Sequence, residues 1–589
     1  MPGSFYKYSD LLKKLPFLGA AFLSTLGLPG CASTHPDQAQ GSYDEPHNIS
    51  QKAQADWESH PYTASADYHF ALAQAYSTEG KVDRAIEEFK AALAYDPNSS
   101  VLHAKLAAEY LKKGVTSFSI DECKKAIELD PHYLDVRLML GGIYSINNEI
   151  EAAMAQYDAV LKMDPKNDEA AVFKTQVLVE KNRQDEALKF IRGFVAKVKD
   201  SAAAWFYAGK LEQSKDHTNE AVKDYRKSLE NRPGFTQATL ALGLIFETHG
   251  ETTKALDLYQ DQLEEKQDVQ VAGRLATLYL KLGQLDYALK TLEVMAALDS
   301  DDLNTQLKIG LVHMQMQDWT EAKKIFTALL DKVPDSDKVH YYLAAVLEEQ
   351  TQVESAIEHL LKVTADSKLF EDSNVHAALL YRKLSQEQKA METVQAAIKK
   401  SPENASFYLM MASLYEDKKD LKDASSSLED GLKIFPDHEK MLYFHGAILD
   451  KLGKADEAVA EMEKIIQHNP NQADALNFVA YTWTAQGVRL KDAEEMLKHA
   501  LKLKPDSPFI LDSMGWNQFM LGNNRAALVF LEKAASLKSD EQTILEHLVE
   551  VYARSNMPER AESTRVRIRK LVDNEAADIL RSPASVEQK

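Results

Sequence analysis

Cysteine is nearly missing: 589 residues hold two, Cys31 and Cys123. Two cysteines so far apart cannot build a disulfide framework, so the chain must fold without covalent staples, and their scarcity does not choose a compartment. Positive charge is short as well. Lys plus Arg number 69 against 90 Asp plus Glu, a formal net charge of -21. The summed field repels phosphate backbones and anionic headgroups, which argues against nucleic acid as a partner. The motifs of common catalytic machinery are also missing. There is no HExxH, no Gly-rich phosphate loop, no GxSxG elbow and no cysteine pair at metal spacing. The expectation is a non-enzymatic protein with no cofactor, no metal and no small-molecule substrate. What is present, 45% hydrophobic and 27% charged residues, is the composition of a soluble chain with ample material for a core.

Long apolar runs are scarce too, and the exception lies at the start. Lys7, Lys13 and Lys14 precede a mostly apolar stretch from Leu15 to Gly30, which is interrupted by Pro16 and Pro29. This is shorter than the roughly twenty residues of a spanning helix and reads as a signal peptide. Its end, Leu28-Pro29-Gly30-Cys31, resembles the bacterial lipobox, departing from it at Pro29, where Ala, Ser or Thr is usual. The resemblance implies removal of residues 1–30 and lipidation of Cys31. With Ala32 rather than Asp after the cysteine, it also implies an outer-membrane anchor facing the periplasm. An ordinary secreted protein cut nearby and an uncleaved anchor are the alternatives. Residues 31–65 are polar, rich in Pro, Ser, Gln and Asp, and cannot bury enough apolar surface to order themselves. As a flexible tether of about 34 residues they would span roughly 30–35 Å.

From residue 66 the chain repeats. Alanine recurs at 85, 153, 187, 221, 255, 288, 322, 356, 390, 424, 458, 493, 527 and 561, with Ser119 in the one gap, at intervals of 34 apart from one of 33 and one of 35. Prolines follow twelve residues later at Pro97, Pro131, Pro165, Pro233, Pro334, Pro402, Pro436, Pro470 and Pro505. Upstream of the alanines stand other small residues: Ala73, Gly141, Gly209, Gly243, Gly310, Gly446 and Gly515. Two antiparallel helices approaching to about 8–10 Å need small side chains at the crossing, and a proline ends the second helix. The pattern resembles the tetratricopeptide repeat, a 34-residue helix-turn-helix. That implies an all-α fold, a right-handed superhelical α-solenoid of about fifteen repeats over 66–571, with a tail at 572–589. Lys166 to Asp200 and Asp261 to Ser300 depart most, both lacking the proline and the first carrying Thr175 at the small position. Local softness or altered curvature is expected there.

Within the array, Cys123 occupies a packing position and reads as a small buried hydrophobe. His438 and His445, seven apart, could share a helix face, though packing and surface roles suit such a pair better than a metal. "RVRIRK" at 565–570 reads as a solvated face near the end of the final helix, where its charge favours the negative terminus, with a site for an anionic partner as the alternative. In this repeat type the concave groove is lined from fixed places on each first helix, and toward the C-terminus these are Tyr443, Asn477, Tyr481, Asp512, Trp516 and Phe519. Aromatic anchors with an amide and a carboxylate suit an extended peptide or a partner helix, and the same positions also suit packing between helices. The charged clamp of chaperone-binding arrays is not evident, since Phe70 and Gln74 occupy its first places. The resemblance to exported tetratricopeptide proteins implies a scaffold binding protein partners in the cell envelope and reaching the membrane through its N-terminal lipid. A cytosolic or inner-membrane adaptor of an enzyme complex is the competing expectation.

Overall fold

The computed structural model describes residues 65–581. Cys31, the signal segment and almost all of the expected tether lie outside them. The described residues hold thirty α-helices and no strand. None of these helices is long and apolar enough to cross a membrane. They form two compact units, 65–316 and 317–581.

Each unit is a succession of helical hairpins, and residue size explains why they close. The alanines of the register are buried without remainder, as is Ser119, whose hydroxyl donates to the Ala107 carbonyl at 2.7 Å. A buried hydroxyl with a partner costs little, so serine substitutes for alanine there. The small residue of the first helix serves a large neighbour. A Cβ on Gly243 would lie 2.3 Å from the Tyr259 ring, and one on Gly141 would lie 2.6 Å from Tyr157. The rings stand where side chains are missing, and both tyrosines are among the most buried in the chain.

First helices end in left-handed residues. Gly80 and Gly114 take φ of 75° and 81°, and Lys81 and Val115 donate back to the Tyr76 and Tyr110 carbonyls at 2.8 and 2.9 Å. Glycine suits this C-terminal motif because it has no Cβ to clash. Asn148 and Asn182 take the same conformation, and so does Thr351 at φ 61°, where a β-branched side chain is strained.

Second helices end at a carbonyl that the next first helix recovers. His103 Nε2 reaches the Pro97 carbonyl at 3.1 Å, Arg137 Nη2 that of Pro131 at 3.0 Å, His340 Nε2 that of Pro334 at 2.8 Å and Tyr408 Oη that of Pro402 at 3.2 Å. Where proline is missing the joint persists: Trp205 Nε1 donates to Lys199 at 2.9 Å and Gln306 Nε2 to Ser300 at 2.8 Å. The two divergent repeats therefore close as the others do. Thr175 sits fully buried, with its hydroxyl bonded to the Ala171 carbonyl at 2.7 Å.

The largest departure lies elsewhere. The helix Val353–Leu360 has eight residues against fourteen in most second helices, although Ala356 and Ala390 keep the register. Its loop is caught by Asp337, which accepts from the Thr364 amide at 2.7 Å and hydroxyl at 3.0 Å. At the C-terminus the helix Pro558–Arg581 runs past 571, so Arg565, Arg567, Arg569 and Lys570 sit mid-helix and not at a negative terminus. Arg565 and Arg569 pair with Glu562 at 3.2 and 3.4 Å.

Candidate functional site

Four consecutive first helices build the site: Glu439–Lys451, Ala473–Gln486, Pro508–Met520 and Gln542–Arg554. Counting from each start, the fifth residues are Tyr443, Asn477, Asp512 and Glu546. The ninth are Ala447, Tyr481, Trp516 and Glu550, and the twelfth Asp450, Thr484, Phe519 and Ala553. Steps of four and three keep these positions on one face of a helix.

The six residues expected in the groove divide by burial. Asn477 and Asp512 are buried, whereas Tyr443, Tyr481, Trp516 and Phe519 are half-buried and keep part of their rings at the surface. Asp512 is held by His547, whose Nδ1 lies 2.9 and 3.0 Å from its carboxylate oxygens. That imidazole stacks on Trp516 with centroids 4.2 Å apart and planes 15° apart. Trp516 packs on Phe519 at 5.0 Å, and Tyr481 stands 6.2 Å from the imidazole. Three helices thus contribute to one aromatic panel. Tyr443 stands one repeat earlier, with its phenol pushed up by burial and by Asp474.

The panel is electronegative. Burial first, then the charges of Asp512, Asp450 and Glu546, push the Tyr481 phenol up to about 12. Asp450 is itself raised by burial against the opposing pull of Lys451, a lysine that pairs with Glu416. Glu550 is paired with Arg554 at 3.3 Å. The Asn477 side-chain oxygen is buried without a hydrogen-bond partner. Such an acceptor costs free energy unless something supplies a donor.

Asp450, Glu546 and His547 escaped the sequence reading. Extending the 34-residue register one repeat either way from the six residues reaches Glu546 from Asp512, whereas His547 lies one place off the groove register and had no periodic signal. His438 and His445 do not converge. His438 Nδ1 accepts from the Met441 amide at 3.2 Å as a helix cap, and His445 is buried between Ser425 at 3.0 Å and Glu461 at 3.3 Å. Cys123 is buried and pushed up to about 12 by desolvation, which keeps it an unreactive thiol. Among the described residues no group of three or more His, Cys, Asp or Glu is placed to hold a metal. A separate open cleft is lined mostly by the second helix Leu490–Leu503, with Met514, Gln518 and Phe530, and it does not include the aromatic panel.

Models described as tetratricopeptide repeat match residues 66–99, 134–167, 208–269, 307–368, 405–438 and 439–472. The chain carries tetratricopeptide repeats. Tetratricopeptide arrays are typically non-catalytic scaffolds that bind protein partners. Among curated relatives, a TPR repeat-containing protein of Pseudomonas aeruginosa is 26% identical over 215 residues, covering 36% of this chain and 36% of that protein. A protein O-mannosyl-transferase of Homo sapiens is 24% identical over 233 residues, covering 38% and 26%. Cellulose synthase operon protein C of Pseudomonas fluorescens is 22% identical over 435 residues, covering 68% and 34%. The chain thus spans between about a quarter and about a third of these relatives' own lengths.

Proposed function

We propose that this tetratricopeptide chain is a non-enzymatic lipoprotein of the bacterial outer membrane, facing the periplasm, that scaffolds assembly of an envelope machine. The observation that carries this is Cys31, placed directly after Leu28-Pro29-Gly30 at the end of a signal pattern and followed by Ala32. The lipid anchors, the polar segment 31–65 lifts the array from the bilayer, and the first-helix faces bind protein components. Pilus or secretion assembly, motility, polysaccharide export and cell-wall synthesis all use such scaffolds. Similarity to a cellulose synthase operon protein favours polysaccharide export among them.

Replacing Cys31 with Ser tests the reading. The parent is expected in the outer-membrane fraction with an acylated N-terminus by mass spectrometry, and Cys31→Ser is expected in the soluble periplasmic fraction. Equal solubility of both proteins, with no acyl chain on the parent, defeats it. A second reading, a cytosolic or inner-membrane adaptor in an enzyme complex, draws on the similarity to a protein O-mannosyl-transferase. It requires the N-terminal segment to be retained, which the same mass spectrum reads. Crosslinking in intact envelopes then identifies the partner under either reading.

A further inference from the structure

The aromatic face of the four helices between Glu439 and Arg554 carries a charge imbalance that selects its occupant. Four acids stand on the fifth, ninth and twelfth positions: Asp450, Asp512, Glu546 and Glu550. The cations nearby are committed elsewhere. Lys451 pairs with Glu416, Arg554 with Glu550 and Lys504 with Asp474, while His547 is bound to Asp512. Asp450 feels Lys451, whose ammonium pairs with Glu416 instead, and Glu546 is exposed and accepts from the neutral amide of Gln542 at 2.7 Å, so among the described residues neither acid is in an ion pair. Between them stand the exposed parts of the Tyr481 and Trp516 rings, the latter already stacked on His547 and packed against Phe519. On the same register lies the Asn477 oxygen, 6% exposed as a residue and lacking a donor.

Each observation asks for the same chemistry. Aromatic faces attract a cation through the ring quadrupole, and a guanidinium lies flat on them better than an ammonium does. Carboxylates at the rim accept charge-assisted hydrogen bonds from it. An orphan amide oxygen accepts one more donor, which a guanidinium has to spare. A carboxylate-bearing ligand would meet repulsion from Asp450 and Glu546 and would leave the Asn477 oxygen unsatisfied.

We propose that the face formed by Tyr443, Asn477, Tyr481, Trp516, Asp450 and Glu546 binds an extended, arginine-bearing segment of a partner protein, with a guanidinium seated on Tyr481 and Trp516 between the two acids. This rests on the reading of the first-helix face as the partner-binding surface. The chain's charge of -21 strengthens the preference by steering basic segments toward it.

The test uses the full chain and three eight-residue peptides that alternate leucine with arginine, glutamine or glutamate, followed by titration calorimetry. The arginine peptide is expected to bind best. Its affinity should fall roughly tenfold in Asp450→Asn with Glu546→Gln, the order expected for losing desolvated charge pairs. It should fall again as ionic strength rises and the Debye length shrinks. Trp516→Phe keeps the ring and should bind, whereas Trp516→Leu should not, with far-ultraviolet dichroism unchanged in both. Equal binding of the glutamine peptide, or no effect of the double variant, overturns the arginine preference while leaving partner binding in this groove standing. Failure of all three peptides to bind the parent overturns both. Preference for the glutamate peptide reverses the charge argument outright.

Discussion

Two hairpins in each unit fill the same gap with different side chains, and the difference decides what is left for a partner. In 65–316 the missing side chains of Gly209 and Gly243 are replaced by the rings of Tyr225 and Tyr259. Their hydroxyls cross to the twelfth residue of the first helix, Tyr225 to Gln213 and Tyr259 to Glu247, both at 2.8 Å. Arg274 adds a bond to Glu247 at 3.0 Å. In 317–581 the equivalent gaps beside Gly446 and Gly515 are filled by Met462 and Leu531, which carry no hydroxyl. Their twelfth residues, Asp450 and Phe519, are therefore not tied down from below. The hairpins at Gly209 and Gly243 spend a polar group on their own closure, whereas at Gly446 the polar residue, Asp450, is left on the face. A choice of filler hidden in the core thus sets the chemistry of the surface.

The sharpest way to break this comparison is to fill the gaps. Gly243→Ala puts a Cβ 2.3 Å from a rigid ring and should cost about 3 kcal/mol. Gly446→Ala meets the flexible end of Met462 at 2.6 Å and should cost about 1 kcal/mol. Hydrogen exchange resolved along the chain reads both, because an array loses protection locally before it unfolds as a whole. Equal costs at the two glycines would mean that the fillers are equivalent.

Acid should separate the units next. In 317–581 the His340 Nε2–H donates to the Pro334 carbonyl at 2.8 Å while the Nδ1 atoms of His340 and His359 lie 2.9 Å apart, so one ring must supply a lone pair and the two cannot be protonated together. Burial, then the His340 charge, pushes His359 down to about 4. Between the unfolded value near 6.5 and about 4 the unfolded chain takes up a proton that the folded chain refuses. Stability is therefore full above about 6.5 and declines as the pH falls. After allowance for solvent screening the loss should reach about 1–2 kcal/mol at pH 4.5. Exchange should accelerate in 340–363 and be blunted by His359→Gln; a pH-independent pattern there would refute the pair's role.

Removing one hydroxyl sharpens the comparison further. Tyr259→Phe keeps the ring in its gap but removes one of the two bonds to Glu247, leaving that of Arg274, and should cost about 1 kcal/mol in urea unfolding of that region. The smallest effect expected is a gain. Thr351→Gly relieves a β-branched residue at φ 61° and should stabilise the unit 317–581 by up to about 1 kcal/mol, offset in part by the entropy of glycine when unfolded. A loss of stability there would show that the threonine side chain makes a contact worth more than its strain.

What could be read from the residues alone follows the same division. The hairpins were legible because the requirement at a helix crossing is size, a property of one residue repeated every 34. Ser119 was legible for that reason too, and its bond to Ala107 explains the exception. The positions of Tyr481 and Trp516 followed from the register. Their surroundings did not, because burial of Asp512 and the stacking of His547 depend on residues one and two repeats away. The eight-residue helix at Val353–Leu360 was invisible because the alanines on either side keep their spacing and the missing turn is absorbed in the loop.

The joint between neighbouring hairpins lends itself to inheritance. His103 to Pro97, Trp205 to Lys199 and Tyr408 to Pro402 each close within seven consecutive residues of chain. A genetic duplication or deletion of one whole period, cut inside the turn between first and second helix, carries every such joint intact. The same cut displaced into a joint would separate donor from acceptor. The array can therefore lengthen or shorten by recombination in steps of one repeat, and its reach toward partners becomes a quantity that selection can count out in whole numbers.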